Sequence, residues 1–317
     1  MTRIVKESRR DRLMEQIARV HARLDAAPGL RPVGEGEARL FAAHDLASLA
    51  EVAFGEVVDP LRLTDAAIED LARRLAYPLR EEDPYRRRYL ITRADRPVGT
   101  VAVDDYPIGP DELQLSSLYL RPDARTLGVG GATVDTVRRA ATAEGLGGVR
   151  LTADWLRPQS IRSYLHLGFL VSHWKHAIHM VWRRRSVRLR YRAVGAERRL
   201  LAEVELVGTE QPLLTATRSG PWLRLEQHPL DAHLREAHPG LEQDALSTMA
   251  VHLALDGYPL IRDRARWEEG YRWSEGGEPE GLARRIWFFE EYARRCGHQV
   301  DTPVRELPPG LSWPTWD

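Results

Sequence analysis

The stretch "LYLRPDARTLGVGGATVDTVRRAA", Leu118 to Ala141, limits the fold more than any other part of the chain. A short apolar strand enters a loop with glycine at 128, 130 and 131, and a helical pattern follows with Val134, Val137 and Ala141 on one face. That helix runs to about "EGLGG", after which "VRLTADWL" reads as a second strand. Backbone N–H groups at the start of such a helix converge on one spot, glycine lets an oxyanion approach, and the helix dipole favours negative charge. The loop therefore suits a phosphate. A dinucleotide fingerprint is excluded, because Thr133 stands at its third glycine and no acidic residue closes the next parallel strand at the required distance. A nucleoside-triphosphate loop is excluded as well, since this loop contains no Lys.

In front of the loop, "RRYLITR" and "PVGTVAVDDY", separated by the turn "ADRP", form an antiparallel meander with "ELQLSSLYL". Earlier still, "ARLFAA" reads as a short strand. Helices are expected in "HDLASLAEVAFGEVV" and "LTDAAIEDLARRLAYPL", the second capped by Thr64 or Asp65. Residues 3–26 carry Ile4, Leu13, Ile17, Val20 and Leu24 at helical spacing, which predicts an amphipathic helix packed on its own protein. Glu7, Asp11, Glu15 and Asp25 oppose a membrane role for it. Beyond the loop, "PQSIRSYLHLG" predicts a short helix stopped by Gly168, and "FLVSHWKHAIHMVW" is strand-like.

Two motifs then coincide. Arg125-Thr126-Leu127-Gly128-Val129-Gly130 spells R-x-x-G-x-G after a meander and before a helix. Downstream, "RPQSIRSYLHLGF" follows N-x-x-A-x-x-x-Y-x-x-x-G-F, with Ser160 at the Ala, Tyr164 at the Tyr and Gly168-Phe169 at the end. Together these resemble the GCN5-related N-acetyltransferase (GNAT) family over roughly residues 35–183. The fold so implied is α/β (α+β), a mixed and mostly antiparallel sheet flanked by helices, with an N-terminal helix at 1–34. Residues 35–184 would bind acyl-CoA and catalyse, and 185–317 would form a C-terminal α+β domain for acceptor selection or interaction.

The resemblance also implies a division of labour. Leu118 and Leu120 would hydrogen-bond the pantetheine arm like a neighbouring strand, with Tyr119 facing the other way. Arg125, Thr126, Gly128, Val129, Gly130 and Gly131 would surround the pyrophosphate, mostly through backbone N–H groups. Tyr164 would give a proton to the departing thiolate. Where the family's base stands on the preceding strand, this chain has Gln114, which accepts no proton usefully. Glu112, two residues earlier on the same strand face, is the expected substitute through a water chain, with Asp104, Asp105 and Asp154 as further candidates; an amine of low pKa would need no base. Arg157 replaces the motif's Asn and would reach a phosphate or an acidic acceptor, or stand at the surface. Ser160 is carried over as cofactor-binding. The co-substrate expected is acetyl-CoA or another acyl-CoA, with no metal: His166, His173, His176 and His179 alternate between strand faces rather than converging.

Composition bounds the partners. Forty-six Lys plus Arg balance forty-six Asp plus Glu, so no global field draws the protein to nucleic acid. The single Cys296, the lack of a signal-like apolar run and the lack of about eighteen consecutive apolar residues make a cytoplasmic location the expectation, away from membranes. "RRRSVRLRYR" reads as a one-sided exposed strand rather than a nucleic-acid contact. "SVRLRYRAVG", "RLLAEVELVG", "LLTATRSG" and "WLRLEQ" predict strands, and "LEQDALSTMAVHLALDGY" and "PEGLARRIWFFEEYARRCG" predict helices. The expected acceptor is a small-molecule amine, then a peptide or protein amine, then aminoacyl-tRNA; a homodimer is left open. The rival classes are a non-catalytic acyl-CoA-binding regulator and an interaction protein that ignores coenzyme A.

Overall fold

The structure is a computed structural model that describes residues 2–54, 57–74, 86–104, 111–153, 157–174, 178–184, 188–194, 200–209, 212–219 and 222–255. The chain divides into two compact units, one comprising Met1–Thr152 with Trp182–Arg184, the other Ala153–Val181 with Arg185–Asp317.

The first unit begins with α1 (Thr2–Asp25), whose apolar stripe Ile17, Val20 and Leu24 is buried. β1 (Leu30–Pro32) follows, and α2 (Ala38–Phe54) and α3 (Asp65–Arg74) come next. The segment "ARLFAA", expected as a strand, is the first turn and a half of α2, and the strand lies earlier at Leu30. Four of the first ten residues of α2 are alanine, the strongest helix former, and a 3-10 turn at Glu35–Glu37 starts the winding. Thr64 caps α3, accepting the Ala67 N–H at 3.2 Å.

The expected meander is present as β2 (Arg86–Arg93), β3 (Arg96–Asp104) and β4 (Glu112–Leu120), antiparallel throughout. Ala94 and Asp95 both take positive φ, 47 and 60°, the twist a tight two-residue hairpin demands. α4 (Val129–Ala143) then leads to β5 (Gly148–Ala153), which pairs parallel with β4. Sheet order runs β1-β2-β3-β4-β5.

Tyr89, Leu90 and Ile91 on β2, and Val101, Ala102 and Val103 on β3, are buried consecutively, so both sheet faces are covered. α2 packs on β3 and β4, and α4 packs on β4 with α1 against it. Val134, Val137 and Ala141 of α4 are fully buried, as their spacing predicted; each of the two valines contributes about 1.5–3 kcal/mol. Gln16, Arg19 and Arg23 of α1 all bind Glu144 at the end of α4, so α1 is a packing helix of its own protein.

The second unit contains α5 (Pro158–His166), the antiparallel hairpin β6 (Leu170–Trp174) and β7 (Ile178–Arg183), and an antiparallel sheet of β8 (Leu189–Ala193), β9 (Leu200–Leu206), β10 (Pro212–Ser219) and β11 (Trp222–Gln227) in that spatial order. The last residues of β7 group with the first unit. α6 (Ala232–Ala237) and α7 (Leu241–Leu255) follow. α7 is buried nearly all round and packs on β6, β9 and β10; its Thr248 hydroxyl accepts the Val171 N–H of β6 at 2.9 Å. Arg190 and Arg192 of β8 pair across the ladder with Glu205 and Glu203 of β9, which occupies these charges with protein carboxylates. Tyr191 stacks on His252 at 3.8 Å. Among the described residues no helix is long and apolar enough to cross a membrane. The predicted helix at 279–297 with its Trp287 and Cys296, together with Trp267, Trp273, Trp313 and Trp316, lies outside the described residues.

Candidate active site

The strand ahead of the glycine loop is bulged. Thr100 pairs with Tyr119 and Ala102 with Ser116, so β4 carries one residue more than β3 across the same interval, and Ser117 takes φ 48° to accommodate it. The parallel ladder to β5 runs from Glu112↔Gly148 to Leu115↔Leu151, ending just before the bulge. Leu118 and Leu120 therefore lie beyond that ladder, half-buried, while Tyr119 between them is buried. Gly99, opposite Leu120, is required by close approach: a Cβ there would stand far inside contact distance of the Tyr119 carbonyl oxygen.

After β4 the chain makes a 3-10 turn at Pro122–Ala124 and enters the loop. Thr126 and Gly128 take φ 65 and 75°, and Gly128 is the N-cap of α4. The Ala132 N–H makes the first helical bond, to the Gly128 carbonyl at 3.0 Å. The N–H groups of Val129, Gly130 and Gly131 precede it, so they have no partner within the helix and point outward along its axis. Thr126, Leu127 and Gly128 are solvent-exposed. Three convergent donors at the positive end of a 15-residue helix make an anion site.

The Arg125 side chain braces this loop. Its guanidinium binds both carboxylate oxygens of Glu51 on α2 at 2.6 Å, its Nε donates to the Leu120 carbonyl at 3.0 Å, and it lies 5.4 Å from the centre of the Tyr119 ring. The hydrogen bonds to Glu51 raise its pKa further. The side chain ties strand, loop and α2 together, leaving the donors to the backbone.

The acidic candidates are also placed. Glu112 is buried, and its carboxylate is held by Arg150, at 2.9 and 2.5 Å, and by Arg183 at 3.2 Å. That geometry describes a structural ion pair more than a base. Gln114 is half-buried and Asp104 buried at the end of β3, while Asp105 and Asp154 lie outside the described residues.

Residues 51–169 match the family model described as "Acetyltransferase (GNAT) family". Residues 51–169 are a GNAT-family domain.

Solved structures with likeness to it include an acetyltransferase from Thermus thermophilus (21% identity, 49% of this chain and 95% of that one, TM-score 0.36). Another is the PaiA N-acetyltransferase from Thermoplasma acidophilum in complex with coenzyme A (15%, 49% and 97%, TM-score 0.37). A third is spermidine N-acetyltransferase from Vibrio cholerae in complex with coenzyme A and spermine (15%, 49% and 94%, TM-score 0.34). No curated protein sequence matches this chain.

The second GNAT motif lies in the other unit. Arg157 precedes α5 and is half-buried, as are Ser160 and Tyr164 within it. The Tyr164 ring packs 5.8 Å from that of Phe169, and Gly168 ends the helix with φ 83°. Although part of the Tyr164 surface remains open, its phenol lies deep: burial pushes its pKa up to about 12, opposed by the charge of Arg157. Tyr164 is thus a protonated phenol at neutral pH, able to donate.

Sequence reasoning gave no role to the polar face of α2. His44 is buried, with Nδ1 on the Leu40 carbonyl at 2.8 Å, Nε2 without a hydrogen-bond partner, and its ring edge-on to Tyr119. Burial pushes its pKa down. Asp45 accepts a hydrogen bond from the Ser117 hydroxyl at 3.3 Å. The available signal was a His-Asp pair and Glu51 interrupting the apolar run "HDLASLAEVAF".

Proposed function

We propose that the chain is an N-acyltransferase that moves an acetyl group from acetyl-CoA to a primary amine of a small molecule by direct attack. The observation that carries this reading is the bulged β4, which leaves the β5 ladder at Leu115 and runs straight into a helix start with three N–H donors unbonded within the helix. A strand edge open over a few residues suits a pantetheine arm, and the anion site next to it suits a pyrophosphate. In this reading Leu118 and Leu120 hold the arm, and Val129, Gly130 and Gly131 hold the phosphates. Thr126 and Gly128 shape the turn, and Arg125 braces it.

Acyl transfer by direct attack needs a neutral amine, a donor for the tetrahedral oxyanion and a proton for the departing thiolate. Tyr164 is assigned the last duty; its raised pKa keeps the proton available. Arg157 and Ser160 are assigned to the acyl-CoA, and residues 185–317 to selection of the acceptor. Peptide or protein amines and aminoacyl-tRNA are the alternative acceptors.

A second reading, a non-catalytic acyl-CoA-binding regulator, is favoured by Gln114 in the base position and by the capture of Glu112 between two arginines. Coenzyme A thiol release across a panel of amines, peptides and tRNA separates the two. Transfer predicts release with at least one acceptor, and regulation predicts tight acetyl-CoA binding without turnover.

A further inference from the structure

We propose that Glu51, on α2, is a positioning residue for the acyl-CoA pyrophosphate: acting through Arg125, it holds the corner where β4 turns into the glycine loop. The assignment rests on the acyl-transfer reading above and deepens it, by naming a residue outside both motifs that sets how tightly the loop binds its phosphates.

The corner needs an anchor. Between the buried Ala124 and the half-buried Val129, residues Thr126, Leu127 and Gly128 are exposed, and Thr126 and Gly128 take positive φ. A residue with a side chain, such as Thr126, keeps that conformation only where its surroundings impose it. The Thr126 hydroxyl donates to the Arg125 carbonyl at 2.5 Å, a contact within the loop. Arg125 supplies the longer reach, and all three of its guanidinium nitrogens are used. Nη1 and Nη2 each donate to one Glu51 oxygen at 2.6 Å, and Nε donates to the Leu120 carbonyl at 3.0 Å.

Leu46, Ala47 and Ala50 of α2 are fully buried, so the helix is fixed where it packs on β3 and β4, and Glu51 follows at its half-buried rim. A bidentate carboxylate sets both the place and the plane of a guanidinium. That plane in turn holds the Leu120 carbonyl. The Tyr119 carbonyl lies against Gly99 of β3, and the Arg121 N–H donates to the Val98 carbonyl at 3.0 Å. Alternation along β4 therefore turns the Leu120 carbonyl to the other edge, the one β5 leaves after Leu115. Arg125 closes the end of this open edge, where the pantetheine arm would give way to the pyrophosphate. Glu51, Leu120, Arg125 and residues 126–131 all lie in the first unit.

Removing the Glu51 charge sets two effects against each other. By Coulomb attraction alone, a site beside Arg125 without its carboxylate would bind phosphate more tightly. By geometry, the corner loses its fixed post, and the N–H donors of Val129, Gly130 and Gly131 must be brought into place by the ligand itself. The second effect is the larger here. Pair and phosphates are partly exposed, which screens the charge, with the Arg125 and Glu51 side chains 35% and 27% accessible. The Nε bond to Leu120 and the Tyr119 ring, 5.4 Å away, also keep the guanidinium on β4.

The test titrates the full chain calorimetrically with acetyl-CoA and with acetyl-pantetheine, which lacks the pyrophosphate. Glu51→Gln should weaken acetyl-CoA binding about tenfold and acetyl-pantetheine binding by less than about twofold. Glu51→Asp keeps a carboxylate and should recover part of the loss. Arg125→Gln should cost as much as Glu51→Gln, and the double variant about as much as either alone, because Glu51 acts through Arg125. With spermidine, tyramine or a lysine-containing peptide as acceptor, the loss should appear in the KM for acetyl-CoA, with kcat within about twofold of wild type. Unchanged or tighter acetyl-CoA binding in Glu51→Gln, equal weakening for both ligands, or additive losses in the double variant overturn the assignment and leave the acyl-transfer reading standing. No acetyl-CoA binding by the wild type overturns both.

Discussion

The anion site makes a prediction that two neighbouring glycines should answer differently. Gly128 sits at φ 75°, ψ −1°, with no atom within 4 Å of an added methyl group, so Gly128→Ala meets backbone strain and no clash. The left-handed conformation costs about 1 kcal/mol for a side-chain-bearing residue. For a chain of this size that lowers Tm by about 2 °C. Gly130 has ordinary helical geometry, and its added methyl group would stand 3.3 Å from Leu120 Cδ1, a contact the flexible leucine tip can relieve. Alanine gains up to about 1 kcal/mol of helix propensity there, so Tm should change by less than about 2 °C in either direction. Both methyl groups enter the space where phosphate oxygens would meet the first-turn N–H donors. Losing one such charge-assisted bond costs about 2 kcal/mol, or about 30-fold in affinity. Calorimetric titration of both variants with acetyl-CoA and with acetyl-pantetheine, which lacks the pyrophosphate, is the assay. Weakening confined to acetyl-CoA, in both variants, is expected. Unchanged Kd, or equal weakening for both ligands, would refute a pyrophosphate site on this loop.

Tyr164→Phe should lower kcat by about 100-fold in steady-state assays while keeping acetyl-CoA affinity. Because the phenol titrates at about 12, the wild-type kcat should show no basic limb from Tyr164 up to about pH 10. Glu112→Gln leaves Arg150 and Arg183 facing a neutral amide; with their side chains 23% and 24% exposed, the loss of stability should be about 2 kcal/mol in thermal or urea melts. If Glu112 is structural, kcat in that variant stays near wild type, whereas a collapse of kcat without a change in stability would restore it as the base. Burial holds His44 below its ordinary 6.5, so its contribution to stability is present above that pH and is lost as the pH falls and the unfolded chain takes up the proton first. His44→Asn, which keeps a donor for Leu40 and does not titrate, should flatten this acid-side loss in melts run as a function of pH.

Local chemistry made much of this fold readable from the sequence. The β4 and α4 boundaries follow from period-two and helical spacing, and Gly168 takes the positive φ that its place after the end of α5 favours, while Gly128 takes it in the turn that enters α4. "ARLFAA" misled because a short apolar run has no periodicity of its own, and the helix propensity of three alanines outweighed the strand reading once residues 44–54 extended it. Motif spacing marks the loop, but not what its side chains hold: the carboxylate that pairs with Arg125 of R-x-x-G-x-G is Glu51, 74 residues earlier. The same long-range pairing hides Glu112 from a reading along the strand, because Arg150 and Arg183 reach it only through β5 and the end of β7. The contact between Asp45 and Ser117 is hidden for the same reason: the two residues are 72 apart in the chain, and a bulge, not a side-chain pattern, brings them together.

Coenzyme A thiol release by the full chain with acetyl-CoA and a panel of primary amines, with the acetylated amine identified by mass spectrometry, tests the central claim most directly. The account predicts thiol release that depends on both acetyl-CoA and one of the amines, matched by an equal amount of N-acetylated product. No release with any amine, together with no thermal shift on adding acetyl-CoA, would contradict it.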